Sequence, residues 1–325
     1  SLGFVVDEFG LNHVQSQFVE MFDIEQIEVL RGPQGTLFGK NSTAGVISIT
    51  SKKAVIDEYS GEFSVTAGQY DWNEGSKNKF KLALNVPIVE GKLAMRVAAI
   101  WDKDQGYFTN SKPAGEFPGP TTFNPTATWP QDRTPLVGVG DGGDLGGRDV
   151  MAAKIKFRYE SESYSNDLIF EWLKDDSAAP GHVNESNLTD DPSILLPMLG
   201  FPGIGMKATN WGGKSWDNPL ATGEPGNVQC NGTMAICKGH RVDATGIYFN
   251  QTWDLENYSL RSITGWRTEE QSLASSYSGE AFISLYNASR NTKKENWQQE
   301  IRLTSEFDGP FNFTAGAVLA EETFW

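Results

Sequence analysis

Apolar and polar residues alternate strictly over long stretches of this chain. Between residues 92 and 102 every second residue is apolar, namely Leu93, Met95, Val97, Ala99 and Trp101. The same two-residue period recurs in 154–160 and 297–307. Successive side chains of a strand point to opposite faces of its sheet, whereas a helix repeats about every 3.6 residues. The alternation therefore predicts β-strands that have one apolar and one polar face.

We predict nine such strands after residue 59, at 60–69, 78–86, 92–102, 149–160, 166–175, 241–256, 258–270, 294–307 and 311–324. Several are longer than the roughly five to six residues common in globular sheets. Many approach the roughly 9–11 residues that a tilted strand needs to cross a bilayer. Long connections, at 103–148 and 176–240, alternate with short turns. This layout is typical of an antiparallel membrane β-barrel and favours it over a soluble β-sandwich.

In such a barrel the apolar faces contact lipid, and the polar faces line the interior. We therefore expect one set of apolar side chains on the outside of a curved sheet: Leu93, Val97, Ile155, Phe157, Ile301 and Leu303.

Composition excludes two other classes of protein. The formal net charge is −15, whereas nucleic-acid binding depends on lysines and arginines that displace phosphate counterions. No run of about 18 apolar residues exists to form a membrane-spanning helix. A membrane strand needs an apolar residue only at every second position, so strands remain possible.

Residues 1–53 follow a different pattern, with short strands predicted at Gly3–Glu8, Ile24–Arg31 and Gly45–Lys52. The segment Ile27–Thr50 reads IEVLRGPQGTLFGKNSTAGVISIT. It contains an E-V-L-R-G-P strand end, a turn of small residues, a G-K step, and a glycine before a last apolar strand. In this order of motifs the chain resembles the end of the plug domain of TonB-dependent outer-membrane receptors.

The resemblance implies an all-β membrane barrel, antiparallel, with a small mixed α+β plug domain inside it. Residues 1–53 would be the C-terminal part of the plug, and residues 54–325 the first nine or so strands of a barrel of about 22 strands. Nine strands cannot close such a barrel, and an open edge is not stable in lipid. We therefore expect the chain to be part of a longer protein.

The resemblance also implies a function and partners. Members of the family take up scarce ligands across the bacterial outer membrane, usually a ferric siderophore and sometimes cobalamin, haem or a sugar. The inner-membrane proteins TonB, ExbB and ExbD supply the energy by acting on the plug. The segment that binds TonB lies at the extreme N-terminus in this family, and we do not find it in this sequence.

Candidate ligand-binding residues lie between the first two predicted plug strands, where the resemblance places an apical loop. The loop offers the amides of Asn12, Gln15 and Gln17 and the imidazole of His13. A few convergent polar groups beside aromatic walls are the usual composition of a small-molecule site. The alternative is a polar loop without a binding role.

Two further pairs of residues have candidate structural roles. Glu28 and Arg31 are candidates for docking the plug on the barrel wall, and the alternative is a solvated strand end. Cys230 and Cys237 lie in the longest predicted external loop, where a local disulfide is expected in an oxidising compartment. A metal site that adds His240 is the alternative, although the spacing matches no recognised zinc pattern.

The sequence contains no recognised catalytic motif, neither a G-x-S-x-G elbow nor an H-E-x-x-H helix,. We therefore expect a transporter rather than an enzyme, with no resident metal or cofactor. The alternative function is a secreted β-rich module that binds carbohydrate without transport.

Overall fold

The computed structural model describes residues 2–11, 20–35, 42–71, 75–106, 108–109, 144–178, 240–276 and 287–325. Within these ranges the chain forms 15 strands, which are arranged in a four-stranded, a nine-stranded and a two-stranded sheet. The same ranges contain no helix that is long and apolar enough to cross a membrane.

The four-stranded sheet, called the plug sheet below, contains β1 (Leu2–Val6), β2 (Phe9–Gly10), β3 (Ile24–Arg31) and β4 (Gly45–Ser51). Its strand order is β2-β1-β4-β3. β1 and β4 run parallel, while β1 with β2 and β3 with β4 are antiparallel. The sheet is therefore mixed.

The first plug strand is shorter than the sequence predicted. It ends at Val6, which pairs with Phe9 across a two-residue turn, so the expected strand Gly3–Glu8 is corrected at its end. Asp7 and Glu8 form that turn with φ angles of 48° and 71°. Hairpin turns with two positive φ angles usually carry Asn-Gly or Asp-Gly. Because this turn has no glycine, neither the turn nor β2 could be predicted from the residues.

The nine-stranded sheet, called the barrel sheet below, confirms the nine predicted strands. Its members are β5 (Ser60–Gln69), β6 (Ser76–Val89), β7 (Leu93–Asp104), β10 (Arg148–Glu160), β11 (Tyr164–Asp175), β12 (Arg241–Leu255), β13 (Tyr258–Ser276), β14 (Asn287–Ser305) and β15 (Thr314–Phe324). Each strand pairs antiparallel with the preceding barrel strand. β13 and β14 continue beyond the predicted bounds, because their polar ends keep pairing where the apolar alternation stops.

The two-stranded sheet lies within the first long connection. It pairs β8 (Phe108–Thr109) with β9 (Asp144–Leu145), and so brings the two described ends of that connection together.

The two faces of the barrel sheet are distributed as predicted. Ile155 and Ile301 are 38% and 50% exposed, and the other expected outer residues are half-buried. On the opposite face Arg96, Lys154 and Glu300 are buried. Charges are therefore covered while aliphatic side chains are exposed, the reverse of a soluble sheet and the arrangement of a membrane barrel wall.

Aromatic rings cluster near the end of the barrel sheet that carries the short turns. Tyr164 lies with its ring centroid 6.1 Å from Tyr159 and 5.3 Å from Trp253. Tyr258 meets Phe307 edge-on at 5.3 Å. Rings with one wet and one apolar edge suit a membrane interface, so this cluster has the character of one interfacial girdle.

The plug sheet rests on the inner face of the barrel sheet through a buried apolar cluster. Phe9 of the plug is 1% exposed, and its ring centroid is 5.0 Å from that of Tyr248 on β12. Gly265 of β13 lies beneath the same ring, since a Cβ atom there would be 2.3 Å from Cδ2 of Phe9. The absence of a side chain at residue 265 thus lets the plug hairpin approach the wall.

We expect Gly265→Ala to weaken docking of the plug. The added methyl group would displace the Phe9 ring, and such overpacking typically costs about 1–3 kcal/mol. Limited proteolysis and thermal unfolding of the full-length protein in detergent would measure the change. Gly68→Ala is the matched control, because a Cβ atom there meets no atom within 4 Å. Equal protease resistance of the two variants would contradict the proposed role of Gly265.

Candidate functional site

The interface between the plug and the barrel sheet is the principal polar site among the described residues. Its first contact joins Asp23, just before β3, to Arg96 on β7. The guanidinium group donates from Nε to Oδ2 of Asp23 at 2.9 Å and from Nη2 to Oδ1 at 2.5 Å. Both side chains are less than a tenth exposed, at 3% and 9%. Bidentate pairs of this kind are directional as well as strong, so this contact fixes both the position and the orientation of the plug.

The residue before Asp23 adds an apolar anchor. Phe22 is 4% exposed and packs in one cluster with small and aliphatic side chains of the barrel wall: Ala83, Ala98, Ile100, Val150, Ala152, Leu173, Val242 and Ala244. Lys154 Nζ lies 5.8 Å from the centre of the Phe22 ring, within range of a cation–π contact,. Two residues earlier, Glu20 accepts a hydrogen bond from Arg148 at 2.7 Å. The Glu20–Asp23 segment is therefore attached to the wall at successive points.

A second group of contacts centres on Asp7 in the turn between β1 and β2. Its carboxylate accepts hydrogen bonds from the backbone N–H of Ser51 at 2.8 Å and from its hydroxyl group at 2.6 Å. Lys154 Nζ is 3.8 Å from Oδ2 of Asp7. Lys156 donates to the Ser51 hydroxyl and, at 2.6 Å, to the carbonyl oxygen of Lys52. Asp7 and Ser51 thus join the plug strands to two lysines of β10.

These contacts lower the pKa of Asp7. Burial alone would raise it, but the two lysines and the hydrogen bonds from Ser51 outweigh burial,. A carboxyl group with a lowered pKa in the folded state stabilises that state at pH values above its ordinary pKa of 3.8,. The contribution is lost as the pH falls through the lowered value, so Asp7 holds the plug at neutral pH.

Glu8, the second turn residue, pairs with Arg261 of β13. Burial is the largest influence on its carboxyl group and raises its pKa, although Arg261 acts in the opposite direction. The backbone of the hairpin is held as well. Asn250 donates to the carbonyl oxygen of Asp7 at 3.1 Å, and Gln298 accepts from the N–H of Gly10 at 3.1 Å. Side chains of β12, β13 and β14 therefore all contact this hairpin.

A cavity of about 70 Å³ lies between the hairpin turn and the wall. Its lining includes Asp7, Lys156, Asn250 and Arg261. Oδ1 of Asn250 and Nε of Arg261 are buried, and neither has a hydrogen-bond partner within the described part of the chain. A polar space of this size accommodates a small cluster of waters. This part of the interface is therefore less tightly packed than the contact around Phe22.

Most of the predicted site residues lie outside the described residues. This is true of Asn12, His13, Gln15 and Gln17, and of Cys230 and Cys237. The described neighbours of the apical loop are anchored on the wall, since Leu11 is buried in the Phe9 cluster and Glu20 pairs with Arg148. The ligand site and the disulfide stay predictions.

Glu28 and Arg31 are described, and both are exposed on β3. Glu28 accepts a hydrogen bond from Gln26 at 2.9 Å, and the carbonyl oxygen of Arg31 accepts one from Gln34 at 3.3 Å. These contacts lie within the plug, so the docking role of Glu28 and Arg31 stays a prediction. Sequence reasoning missed Asp7, Glu8 and Asp23. The sequence pattern that could have identified them is an acidic residue next to the end of a plug strand, combined with lysines and arginines on the polar faces of the barrel strands.

The described residues contain no group of three or more His, Cys, Asp or Glu side chains that could hold a metal ion. What these residues form is a set of charge pairs between two separate sheets. Such pairs can hold two bodies in register and can also separate.

The comparisons with known proteins agree with this architecture. Residues 1–46 match the family model of the TonB-dependent Receptor Plug Domain. The probable TonB-dependent siderophore receptor PirA of Acinetobacter baumannii is 30% identical over 90 residues, which are 28% of this chain and 12% of that protein.

Two solved receptors share the fold of nearly the whole chain. The ferric yersiniabactin uptake receptor FyuA from Yersinia pestis has a TM-score of 0.59 at 17% identity, covering 99% of this chain and 40% of that chain. The siderophore receptor PirA from Acinetobacter baumannii has a TM-score of 0.61 at 15% identity, with coverage of 99% and 40%.

This chain therefore spans less than half the length of either solved receptor. These relatives give no support to the alternative of a secreted carbohydrate-binding module. The chain is thus similar to the TonB-dependent receptors: its residues 1–46 match their plug-domain model, and it shares the fold of part of two solved receptors of this kind.

Proposed function

We propose that this chain is part of a receptor that takes up an iron complex across the bacterial outer membrane at the expense of energy delivered by TonB. The observation that carries the proposal is the docking of the plug through buried charge pairs such as Asp23–Arg96 and Asp7–Lys154. The plug is a separate body inside the barrel, and the polar contacts that hold it can break and re-form. A barrel closed in this way can act as a gated pore. The described site performs no bond chemistry in this scheme, so the proposal is a transporter and not an enzyme.

Residues 1–53 are proposed to be the C-terminal part of the plug, and residues 54–325 the first nine of about 22 barrel strands. β5 and β15 are exposed along their length and form the two edges of the barrel sheet. Backbone groups at such edges need partners in lipid, which supports further strands beside both. On this proposal Glu28 and Arg31 of the exposed β3 dock on those further strands.

The proposed ligand is a ferric siderophore. FyuA is described as a ferric yersiniabactin uptake receptor and PirA as a siderophore receptor. This chain shares the fold of both. The proposed partners are TonB with ExbB and ExbD, the lipid of the outer membrane, and the iron complex itself. No nucleic acid is proposed as a partner, consistent with the net charge of −15.

Uptake of radioactive iron tests the proposal. The full-length gene would be expressed in a Gram-negative strain that lacks its own siderophore receptors, with and without a functional TonB. We expect iron supplied as a siderophore complex to accumulate only when both the receptor and TonB are present. Accumulation that does not depend on TonB, or binding of the complex at the surface without entry, would reject the proposed function. Haem and cobalamin, tested in parallel, would identify a different ligand.

The apical loop is the proposed ligand contact on the plug. Replacing Asn12, His13 and Gln15 together with alanine removes hydrogen-bonding groups and should weaken ligand binding about tenfold, or ~1.4 kcal/mol. Gln17 would be replaced separately. Equilibrium binding to the full-length receptor measures the effect, and Gln26→Ala on the exposed β3 is the control. Unchanged affinity in a folded receptor would place the ligand site on the external loops.

Cys230 and Cys237 are proposed to form one disulfide within an external loop. Mass spectrometry of peptides from the non-reduced receptor should recover the two cysteines in a single linked species, which separates after reduction. Such a bond would limit the conformations of the loop it closes. Alkylation of both thiols without prior reduction would show that the bond is absent, and Cys230→Ser serves as the unlinked reference.

A further inference from the structure

Most cations on the inner face of the barrel sheet are neutralised by acids of the same face. Pairs of this kind join neighbouring strands, successive inward positions or, for Arg267–Glu171, two strands on either side of β12: Lys79–Asp102, Arg158–Asp167, Arg267–Glu171, Lys294–Glu269 and Arg302–Glu300. Both partners of each pair belong to the wall, although Asp167 also meets Lys53 of the plug at 3.9 Å. The pairs would stay neutral if the plug moved away.

Four inward cations differ, and they are called the wall cations below: Arg96, Lys154, Lys156 and Arg261. Their described hydrogen bonds and ion pairs are made with groups of residues 1–53. Glu171, which lies opposite Lys154 in the next strand, is engaged by Arg267 at 3.3 Å. Glu171 also attracts Lys154 electrostatically, so wall and plug share the neutralisation of Lys154. At Arg96, Lys156 and Arg261 the main neutralising carboxylates belong to the plug.

One of the two buried lysines of this set, Lys154, lacks a close hydrogen-bond partner among the described residues. Lys154 is 1% exposed, and its Nζ atom makes no hydrogen bond within the described part of the chain. Its ion pair with Asp7 is long, at 3.8 Å. An ammonium group that is buried without a hydrogen bond attracts any further anion that can reach it.

Three of the wall cations are adjacent on the wall, and Arg261, three strands from Lys156, lines the same cavity as Lys156. Lys154 and Lys156 occupy successive inward positions of β10, about 7 Å apart along the strand. Arg96 lies directly opposite Lys156 on β7, and Arg261 lies farther toward the short-turn end of the sheet. The cavity between plug and wall is lined by both Lys156 and Arg261. An anion could pass from one cation to the next.

We propose that the wall cations are a track for an anionic ligand, and that plug carboxylates occupy this track at rest. Asp7, Glu8 and Asp23 stand in for the ligand's negative groups. When the plug is displaced, these acids leave with it and the wall presents uncompensated positive charge in a narrow cleft, which favours entry of an anion. The proposal deepens the proposed function, on which it rests, by naming the substrate class as iron complexes of net negative charge.

The test removes wall cations without changing the charge balance of the resting interface. Arg96→Gln is combined with Asp23→Asn, and Arg261→Gln with Glu8→Gln, all four in one full-length receptor. Each pair loses one positive and one negative group and keeps polar side chains on both sides. The probes are a ferric triscatecholate, which is anionic, and a ferric trihydroxamate, which is neutral.

We expect this fourfold variant to bind the triscatecholate with wild-type affinity and to import it about tenfold more slowly, a change of ~1.4 kcal/mol in the barrier. Two controls separate the track from docking. Lys294→Gln with Glu269→Gln removes a pair whose charged neighbours belong to the wall and should import at the wild-type rate. The plug-only variant, Asp23→Asn with Glu8→Gln, weakens the same docking contacts but retains the wall cations, so it should slow import of the triscatecholate less than the fourfold variant does.

The outcomes separate the two ideas. Unchanged import by the fourfold variant overturns the track. Equal slowing by the plug-only variant also overturns it, because the wall cations would then act solely in docking. A wild-type receptor that imports only the trihydroxamate overturns the anionic substrate class and leaves the transport function standing. TonB-dependent import of neither probe rejects the proposed function itself.

Discussion

The barrel sheet has one face that water and charges can occupy and one that they cannot, and the site depends on this division. Side chains of a strand alternate, so every apolar residue turned outward places its neighbours inward. On β10 the outward Ile155 is flanked by the inward Lys154 and Lys156. An inner wall that carries charges needs a partner able to satisfy them, since a buried unpaired charge is costly. The plug fulfils this need with its own acids.

The polar contacts and the apolar ones have different effects at the interface. A buried ion pair contributes little net stability, because desolvation offsets the attraction, yet breaking one partner away is costly. The Asp23–Arg96 pair therefore acts chiefly by fixing the position of the plug on the wall, and it contributes little to the net stability. Burial of Phe9 and Phe22 supplies the non-directional attraction. Gly265 and the alanines of the wall make this possible, because small residues let a ring approach the sheet backbone closely.

How much the sequence could predict follows from the range of each interaction. The faces of β7, β10 and β14 were predictable, because a period of two fixes them within a single strand. The pairing of Asp23 with Arg96 was not, since these residues are 73 positions apart and their meeting depends on how two separate sheets are placed. The turn at Asp7–Glu8 could not be predicted either, and here the reason is local. Its backbone has the form that glycine usually provides, while its two residues make charged contacts with the wall.

That turn has a consequence for assembly. A glutamate at φ 71° occupies a region that costs a residue with a side chain of the order of 1–2 kcal/mol. The isolated hairpin therefore has little reason to adopt this form, and its contacts with Asn250, Arg261 and Lys154 favour the form when the wall is present. The wall thus acts as a template on which the plug completes its shape. In biogenesis, these strands must come together before the hairpin is stable.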